Sequence, residues 1–325
     1  MKPSPTGLAL IALCAAATVL PDTVFAQIYP AKTVRIIIPY PPGGGNDIIG
    51  RAIADELTKR LGQQFIVDNR PGASTIIGAE AVARAAPDGY TLFVASQTTF
   101  AIVPNLRSKL PYDPARDFEP VSLLATQPYT LVVHPSLPAT SVKQLIALAK
   151  SRPGKIEYAS PSIGTGGHLS GELFKVKTGT DLLHIPYKGA GPAIADLLGG
   201  HVPVMFATAS SVHPQVVSGK LRALGTSSAK RTAALPNVPA IAETVPGFET
   251  TQWIAMHGPR ATPREVVERL NAAIAASVKA PEFRERMNSQ GYDAESSTPQ
   301  QLAERIKSEL ARFGKLIRDI GLKDQ

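Results

Sequence analysis

Apolar positions along this chain fall alternately into short continuous runs and into stretches that repeat every fourth residue, as buried strands and amphipathic helices do when taken in turn. Arg35-Ile36-Ile37-Ile38 is one such run, closed by Pro39, Pro41 and Pro42, after which Ile49, Ile53, Leu57 and Leu61 recur at helical spacing. Phe65-Ile66-Val67 predicts a second strand, 76–86 a helix, Pro87-Asp88-Gly89 a turn and Tyr90 to Ala95 a third strand, which makes a βαβαβ unit. Residues 120–134 read as two extended runs broken at Gln127-Pro128, a crossover between lobes. A second unit follows. Ser141-Val142-Lys143-Gln144 is a capping box for a helix that Pro153-Gly154 ends, and Lys155 to Ser160 is a strand. Leu169, Leu173 and Val176 mark a helix, Leu182 to Tyr187 a strand, Ala193 to Leu198 a helix, and Val202 to Ala207 and Leu221 to Gly225 two more strands. The chain then returns through a strand at Trp253 to Met256. Two C-terminal helices open with Thr262-Pro263-Arg264-Glu265 and Thr298-Pro299-Gln300-Gln301, each with Pro at the first helical position. In the last, Leu302, Ile306, Leu310, Phe313 and Ile317 form one stripe suited to packing on the first lobe.

The predicted fold is therefore α/β with two lobes, each a mixed sheet flanked by helices. Residues 27–127 and 226–325 make the first lobe and 128–225 the second. Residues 1–26 read as a secretory leader: Lys2, an apolar run from Leu8 to Leu20, and Val24-Phe25-Ala26 before a cut after Ala26. The run is too short to span a bilayer. Cys14, the one cysteine, falls inside the leader, so disulfides, thiolate chemistry and cysteine metal sites are excluded from the mature chain. The formal net charge of +8 survives cleavage because Lys2 and Asp22 cancel. It either steers anions to a cleft or merely solvates the surface. Scattered Lys and Arg without interleaved aromatics argue against nucleic acid.

Three polar, glycine-rich loops lie where a predicted strand hands over to a helix. The first is Pro41-Pro42-Gly43-Gly44-Gly45, followed by Asn46-Asp47 as an N-cap pair. The second is Pro161-Ser162-Ile163-Gly164-Thr165-Gly166-Gly167-His168, the third Tyr187-Lys188-Gly189-Ala190-Gly191-Pro192. Helix N-termini beyond the carboxyl ends of strands are natural anion sites. No Lys-Ser/Thr makes the first a Walker loop, and GxGxxG is absent. None of the loops contains Arg, so amide dipoles rather than a guanidinium fork would hold an anion.

Five segments in order, YPAKTVRIIIPYPPGGGNDIIGR, VDNRPGAS with APDGYTLFVAS, RPGKIEYASPSIGTGGHLSGELFK, HIPYKGAGPAIADLLGGHVPVMF and SGKLRALGTSS, resemble the Bug-type solute receptors of tripartite tricarboxylate transporters across essentially the whole mature chain. The resemblance implies a periplasmic binding protein fold, type II-like, whose lobes close on a small carboxylate held by backbone amides and water. By position it implies a first contact at Tyr40, Gly43, Gly44, Gly45, Asn46 and Asp47. A second runs through Ser160, Ser162, Gly164, Thr165, Gly166, Gly167 and His168, with Tyr187, Lys188, Gly189, Ser96, Gln97 and Thr98 lining the cleft. On their own chemistry, Asp47 is better read as a cap, His168 as packing on its loop, Lys188 as a solvent-facing turn residue and Trp253 as core. Tyr40 either covers an apolar part of the ligand or packs its loop. Ala207 stands where many relatives carry an acidic residue suited to an ammonium group, which shifts the expected ligand toward a non-amino carboxylate. Asn46 stands where Thr or Ser is frequent.

Two other classes compete with this reading. A hydrolase lacks a G-x-S-x-G elbow, and His134, His168, His184, His201, His213 and His257 show no metal-ligand spacing, so neither catalysis, metal nor cofactor is expected. A receptor of this shape serves either membrane transporter subunits or a membrane sensor kinase, and the fold does not separate them. A monomer is expected. Which carboxylate binds stays open among tricarboxylates, C4 dicarboxylates, aromatic and nicotinate-like acids.

Overall fold

In the computed structural model, which describes residues 29–232 and 235–322, the apolar runs become one long mixed sheet with helices on both faces. The expected leader lies outside the described residues. The chain passes through β1 (Val34–Ile38), α1 (Gly45–Leu61), β2 (Phe65–Asn69), α2 (Ile76–Ala83), β3 (Thr91–Ser96), α3 (Val103–Leu106) and β4 (Phe118–Val133). It continues through α4 (Val142–Ser151), β5 (Ile156–Ser160), α5 (Gly166–Thr178), β6 (Leu182–Pro186), α6 (Ala190–Leu198), β7 (Val204–Thr208), α7 (Ala209–Val217) and β8 (Arg222–Thr226). It returns through β9 (Thr251–Pro259), α8 (Arg264–Lys279), α9 (Pro281–Asn288), β10 (Asp293–Ala294) and α10 (Pro299–Asp319). Strand order is β2-β1-β3-β9-β4-β7-β5-β6, with β10 and β8 also on β4.

The expected break at Gln127-Pro128 is absent, because β4 is a single strand of 16 residues. Up to Pro128 it pairs antiparallel with β9, and from Tyr129 it pairs with β7 and β8. Pro128 has no amide hydrogen, and it falls where the ladder changes partners, which is where a strand tolerates proline. The return strand β9 pairs with both β3 and β4, so it closes the first half of the sheet.

Alternate residues of the apolar runs feed opposite faces. Ile36 and Ile38 pack with Ile49, Ile53 and Leu57 of α1 and with Leu270 and Ile274 of α8. Ile37, Phe93 and Ala95 face the other way, onto Ala79, Val82, Trp253, Leu302 and Ile306. In the second half Tyr129, Leu131 and Val133 meet Val142, Leu145, Phe174 and Phe206, while Val132, Ala159 and Ala207 meet Ala193, Leu197 and Val212. Trp253 is fully buried, with its ring 6.0 Å from that of Phe100.

The stripe on α10 does more than cover the first half. Leu302 and Ile306 pack there, but Phe313, Leu316 and Ile317 join Ala101, Ile102 and Leu169 of α5. Its 21 residues extend about 32 Å, beyond the face they begin on. Thr298 and Gln301 form the expected capping box. At α8, Pro263 is the N-cap rather than the first helical residue, and the Thr262 hydroxyl donates to Pro259 O at 2.7 Å instead of capping. The turns at 98–106, α7, α9 and β10 went unread. Pro214 interrupts the helical pattern of α7, and α9 is only 8 residues long and mostly polar, so neither has a clear period.

Trp253→Ala is expected to cost about 3–5 kcal/mol of unfolding free energy in denaturant titrations. Trp253→Phe should cost clearly less, since the indole N–H it removes has no partner.

Candidate functional site

Helix α1 begins earlier than expected. Gly44 is its N-cap, with extended backbone (φ −80°, ψ 168°), so Asn46 and Asp47 lie inside the first turn. No side chain caps the helix from in front. Instead Asp47 reaches back from within: its Oδ2 accepts from Gly43 N at 2.9 Å and Arg51 Nε at 3.0 Å, and its Oδ1 from Asn69 Nδ2 at 2.9 Å. Burial by itself would raise the Asp47 pKa, but these donors outweigh it and hold the carboxyl below its usual range. Asp47 thus shapes the loop, while the amides of Gly44, Gly45 and Asn46 keep no partner among the described residues.

Helix α5 also starts ahead of expectation, at Gly166, which places His168 in its first turn. Thr165 is the N-cap: its hydroxyl accepts from His168 N at 3.4 Å and donates to Ser162 O at 2.8 Å. His168 Nδ1 accepts from Gly164 N at 3.0 Å, and its ring stacks on His184 at 4.0 Å. Ser160 Oγ donates to Ser162 O at 3.0 Å and lies 2.7 Å from His184 Nε2. Its only proton being spent on a carbonyl, the histidine must donate to it, the reverse of a base activating a nucleophile. The Gly166 and Gly167 amides have no partner among the described residues. Both positions require glycine: a Cβ on Gly166 would overlap the Tyr129 hydroxyl, and one on Gly167 would lie 2.5 Å from Phe206 O. Gly164, at φ +74°, lies so close to Leu106 of α3 that a Cβ there would overlap it.

The third loop runs beside the second. Tyr187 N donates to Ser160 O at 3.0 Å and Gly189 N to Pro161 O at 2.8 Å. The Tyr187 hydroxyl is committed to Asp196 Oδ2 at 2.7 Å, Lys188 is exposed, and the Ala207 methyl is buried in the apolar cluster with Met205 and Val212.

Strand β4 brings the two helix ends together. A Cβ on Gly45 would lie 2.6 Å from the Tyr292 hydroxyl and 3.7 Å from Gln127 Oε1, while Tyr129 closes on Gly166. Gln127 and Tyr129 are two apart on one strand, so they share a face and are spaced by about 7 Å. Tyr129 also has Tyr40 and Gln97 beside it. The Tyr40 hydroxyl is 2.7 Å from Ser96 Oγ, which accepts from Thr98 N at 3.3 Å. Gln127, Tyr129 and Tyr292 escaped the sequence reading. The polar Gln-Pro-Tyr-Thr inside an otherwise apolar strand was the available signal for two of them. For Tyr292 there was none.

Such a site offers five amides from two helix ends and a floor of phenols, hydroxyls and primary amides. Among the described residues no three His, Cys, Asp or Glu side chains gather into a metal-holding group. An anion is what it can hold. A sequence model of the tripartite tricarboxylate transporter family receptors matches residues 49–322. The chain belongs to that family. The receptor is 37% identical over 318 residues to protein BugT of Bordetella pertussis, spanning 97% of this chain and 98% of that one. A solved R. palustris protein with adipate shares 36% identity at a TM-score of 0.84, over 91% of this chain and all of that one. MatC from Rhodopseudomonas palustris with bound malate shares 30% at 0.78, over 89% of this chain and all of that one. The receptor thus has the two-lobed binding protein fold expected from its sequence.

Burial pushes the pKa of His168 down to about 4, assisted by Lys175, and that of His184 to about 4, assisted by His168. Both stay neutral in the folded receptor at pH values where the unfolded chain, near 6.5, takes up protons. Stability is therefore expected to fall as pH drops from about 6.5 to about 4. His168→Gln should flatten that dependence in melting curves taken at pH 7 and 4.5. Asp47→Asn should not, because a depressed carboxylate loses its contribution only below its unfolded value of about 3.9.

Proposed function

We propose that the protein is a periplasmic solute-binding receptor, exported with residues 1–26 removed after Ala26. As a monomer, it holds one small carboxylate between its lobes and hands it to the membrane subunits of a tripartite tricarboxylate-type transporter. The observation that carries this is the convergence of the leading amides of two helix N-termini, α1 and α5, on one face of β4 through Gln127 and Tyr129. In this proposal the lobes are residues 27–127 with 226–325, and 128–225. The carboxylate accepts from Gly44, Gly45 and Asn46 on one side and Gly166 and Gly167 on the other. Tyr40, Ser96, Gln97 and Thr98 form the floor. The adipate and malate of the two R. palustris structures support a carboxylate as the ligand class. The net charge of +8 favours anion capture.

Closure follows from the same geometry. Leu106 meets Gly164, and a Cβ on Gly291 would lie 2.8 Å from Ser210 N, so each flank of the cleft has a contact that lobe opening breaks. A ligand that touches both lobes then favours the closed form.

A thermal-shift panel of carboxylates, amino acids, sugars and phosphates tests the ligand class. A carboxylate at a hundredfold over its Kd should add about 2.7 kcal/mol of stability and raise the melting point visibly. Gly44→Val should abolish that shift with the unliganded melting point unchanged, because a Cβ there meets only Pro41 O, at 3.6 Å. A shift by sugars or phosphates alone, with silence from every carboxylate, would remove the proposal.

A further inference from the structure

The two flanks of the cleft are built differently. On one, Leu106 meets Gly164 and α5 packs on α10 through Leu169 and Phe313, all by apolar contact. On the other, the segment between α9 and β10 meets the start of α7. There Gly291, at φ +82°, comes so near that a Cβ on it would lie 2.8 Å from Ser210 N and 3.0 Å from Ala209 C. A left-handed backbone and a missing side chain together let the two backbones touch. The next residue, Tyr292, is fully buried.

Strand pairing explains where Tyr292 points. β10 runs antiparallel to β4 with Asp293 opposite Thr126 and Ala294 opposite Ala125, so one step back sets Tyr292 beside Gln127. Opposite residues of an antiparallel pair share a face. The Tyr292 hydroxyl is in side-chain hydrogen-bonding contact with Gln127 and with Ser210, the second residue of α7. It also bears on the first turn of α1, where a Cβ on Gly45 would lie 2.6 Å from it. One phenolic oxygen, with one proton to give and lone pairs to share, therefore meets the shared strand, the α1 end of one half and the α7 start of the other. The ring below it belongs to the core cluster of the first half. Anchored there, the hydroxyl does not follow α7 when the lobes part.

Resting on the carboxylate site and the closing lobes proposed above, we infer that Tyr292 is a positioning residue: its hydroxyl latches Ser210 of the opposing lobe and with the same atom abuts the Gly45 end of α1 that holds the ligand. The latch is made between groups of the protein alone, so it raises the closed fraction before a ligand arrives. Apparent affinity rises in proportion to that fraction. Apolar contact on the other flank resists opening but tolerates sliding, whereas a hydroxyl pair is satisfied over a narrow range of distance and angle. Closure is thereby halted where the α1 and α5 amides face one ligand. One neutral hydrogen bond of this kind changes such an equilibrium about three- to tenfold.

Tyr292→Phe, Ser210→Ala and the double variant of the purified protein test the latch. Calorimetric titration with adipate and with malate reads affinity, and small-angle scattering of the same proteins without ligand reads closure. Each single variant should lose about three- to tenfold in affinity for the acid that binds. The double variant should lose no more than either, because both changes remove one and the same bond. Without ligand, the three variants should share a radius of gyration larger than that of the unaltered protein. If Tyr292→Phe acts only through disturbed packing, Ser210→Ala leaves affinity unchanged or its loss multiplies with that of Tyr292→Phe, and either result overturns the latch while the carboxylate site stands. So does a ligand-free radius of gyration common to all four proteins. Failure of both acids to bind the unaltered protein counts against the carboxylate reading and leaves the latch to be decided by scattering. Should Tyr292→Phe not fold, Ser210→Ala decides by both measurements.

Discussion

Everything about the site depends on β4 being continuous. One strand of 16 residues serves two half-sheets by changing partners at Pro128, from β9 on one side to β7 and β8 on the other. Because side chains on a strand alternate, Gln127 and Tyr129 must share a face, and each is in contact with the first glycine of a different helix. A break at that point would free the two helix ends to take any relative position. Continuity instead fixes their separation to about two strand residues.

The first two glycine loops are held in place by their own helices. Each has one polar residue turned back to hold it: Asp47 on Gly43, and His168 on Gly164. In both cases the residue sits in the first helical turn and accepts from the loop's own backbone. The amides ahead of the helix are thereby organised before any ligand arrives, which reduces the ordering cost of binding. The second loop is braced further by Ser160, His184 and the backbone of 187–189. Most of the side-chain chemistry in these loops thus serves to present amides.

Cleft flanks and floor differ in kind. The flanks are steric and apolar: Leu106 against Gly164, and Leu169 of α5 among Ala101, Ile102, Phe313, Leu316 and Ile317. Helix α10 therefore belongs to neither half alone, and its far end ties α5 to the first half-sheet. The floor is polar and uncharged, with the side-chain amides of Gln97 and Gln127 buried against the Tyr129 and Tyr292 hydroxyls. Apolar contacts beside a polar, uncharged centre keep water from it, and the low local dielectric strengthens the hydrogen bonds made there.

Sequence by itself determined the α/β class, the order of most elements, the three loops and the family, because each is carried by local signals: apolar periodicity, proline and glycine punctuation, and caps such as Thr298 with Gln301. It also placed Trp253 in the core; it read Asp47 as a cap, whereas the carboxylate lies inside the first turn and holds the loop from there. It placed both helix starts about three residues late: at α1 the Gly44 N-cap has no side chain to mark the boundary and the stabilising carboxylate comes from inside the turn, and at α5 the capping residue is Thr165, inside what reads as loop. Tertiary structure alone decided that β4 runs unbroken, that Gln127, Tyr129 and Tyr292 meet the helix ends, and that α10 spans both halves. Those are contacts between residues far apart in the chain, up to 292 − 45 = 247 positions for Tyr292 and Gly45. No local pattern encodes which of many apolar strands becomes the shared one, because that choice is made by the packing of the two half-sheets around it.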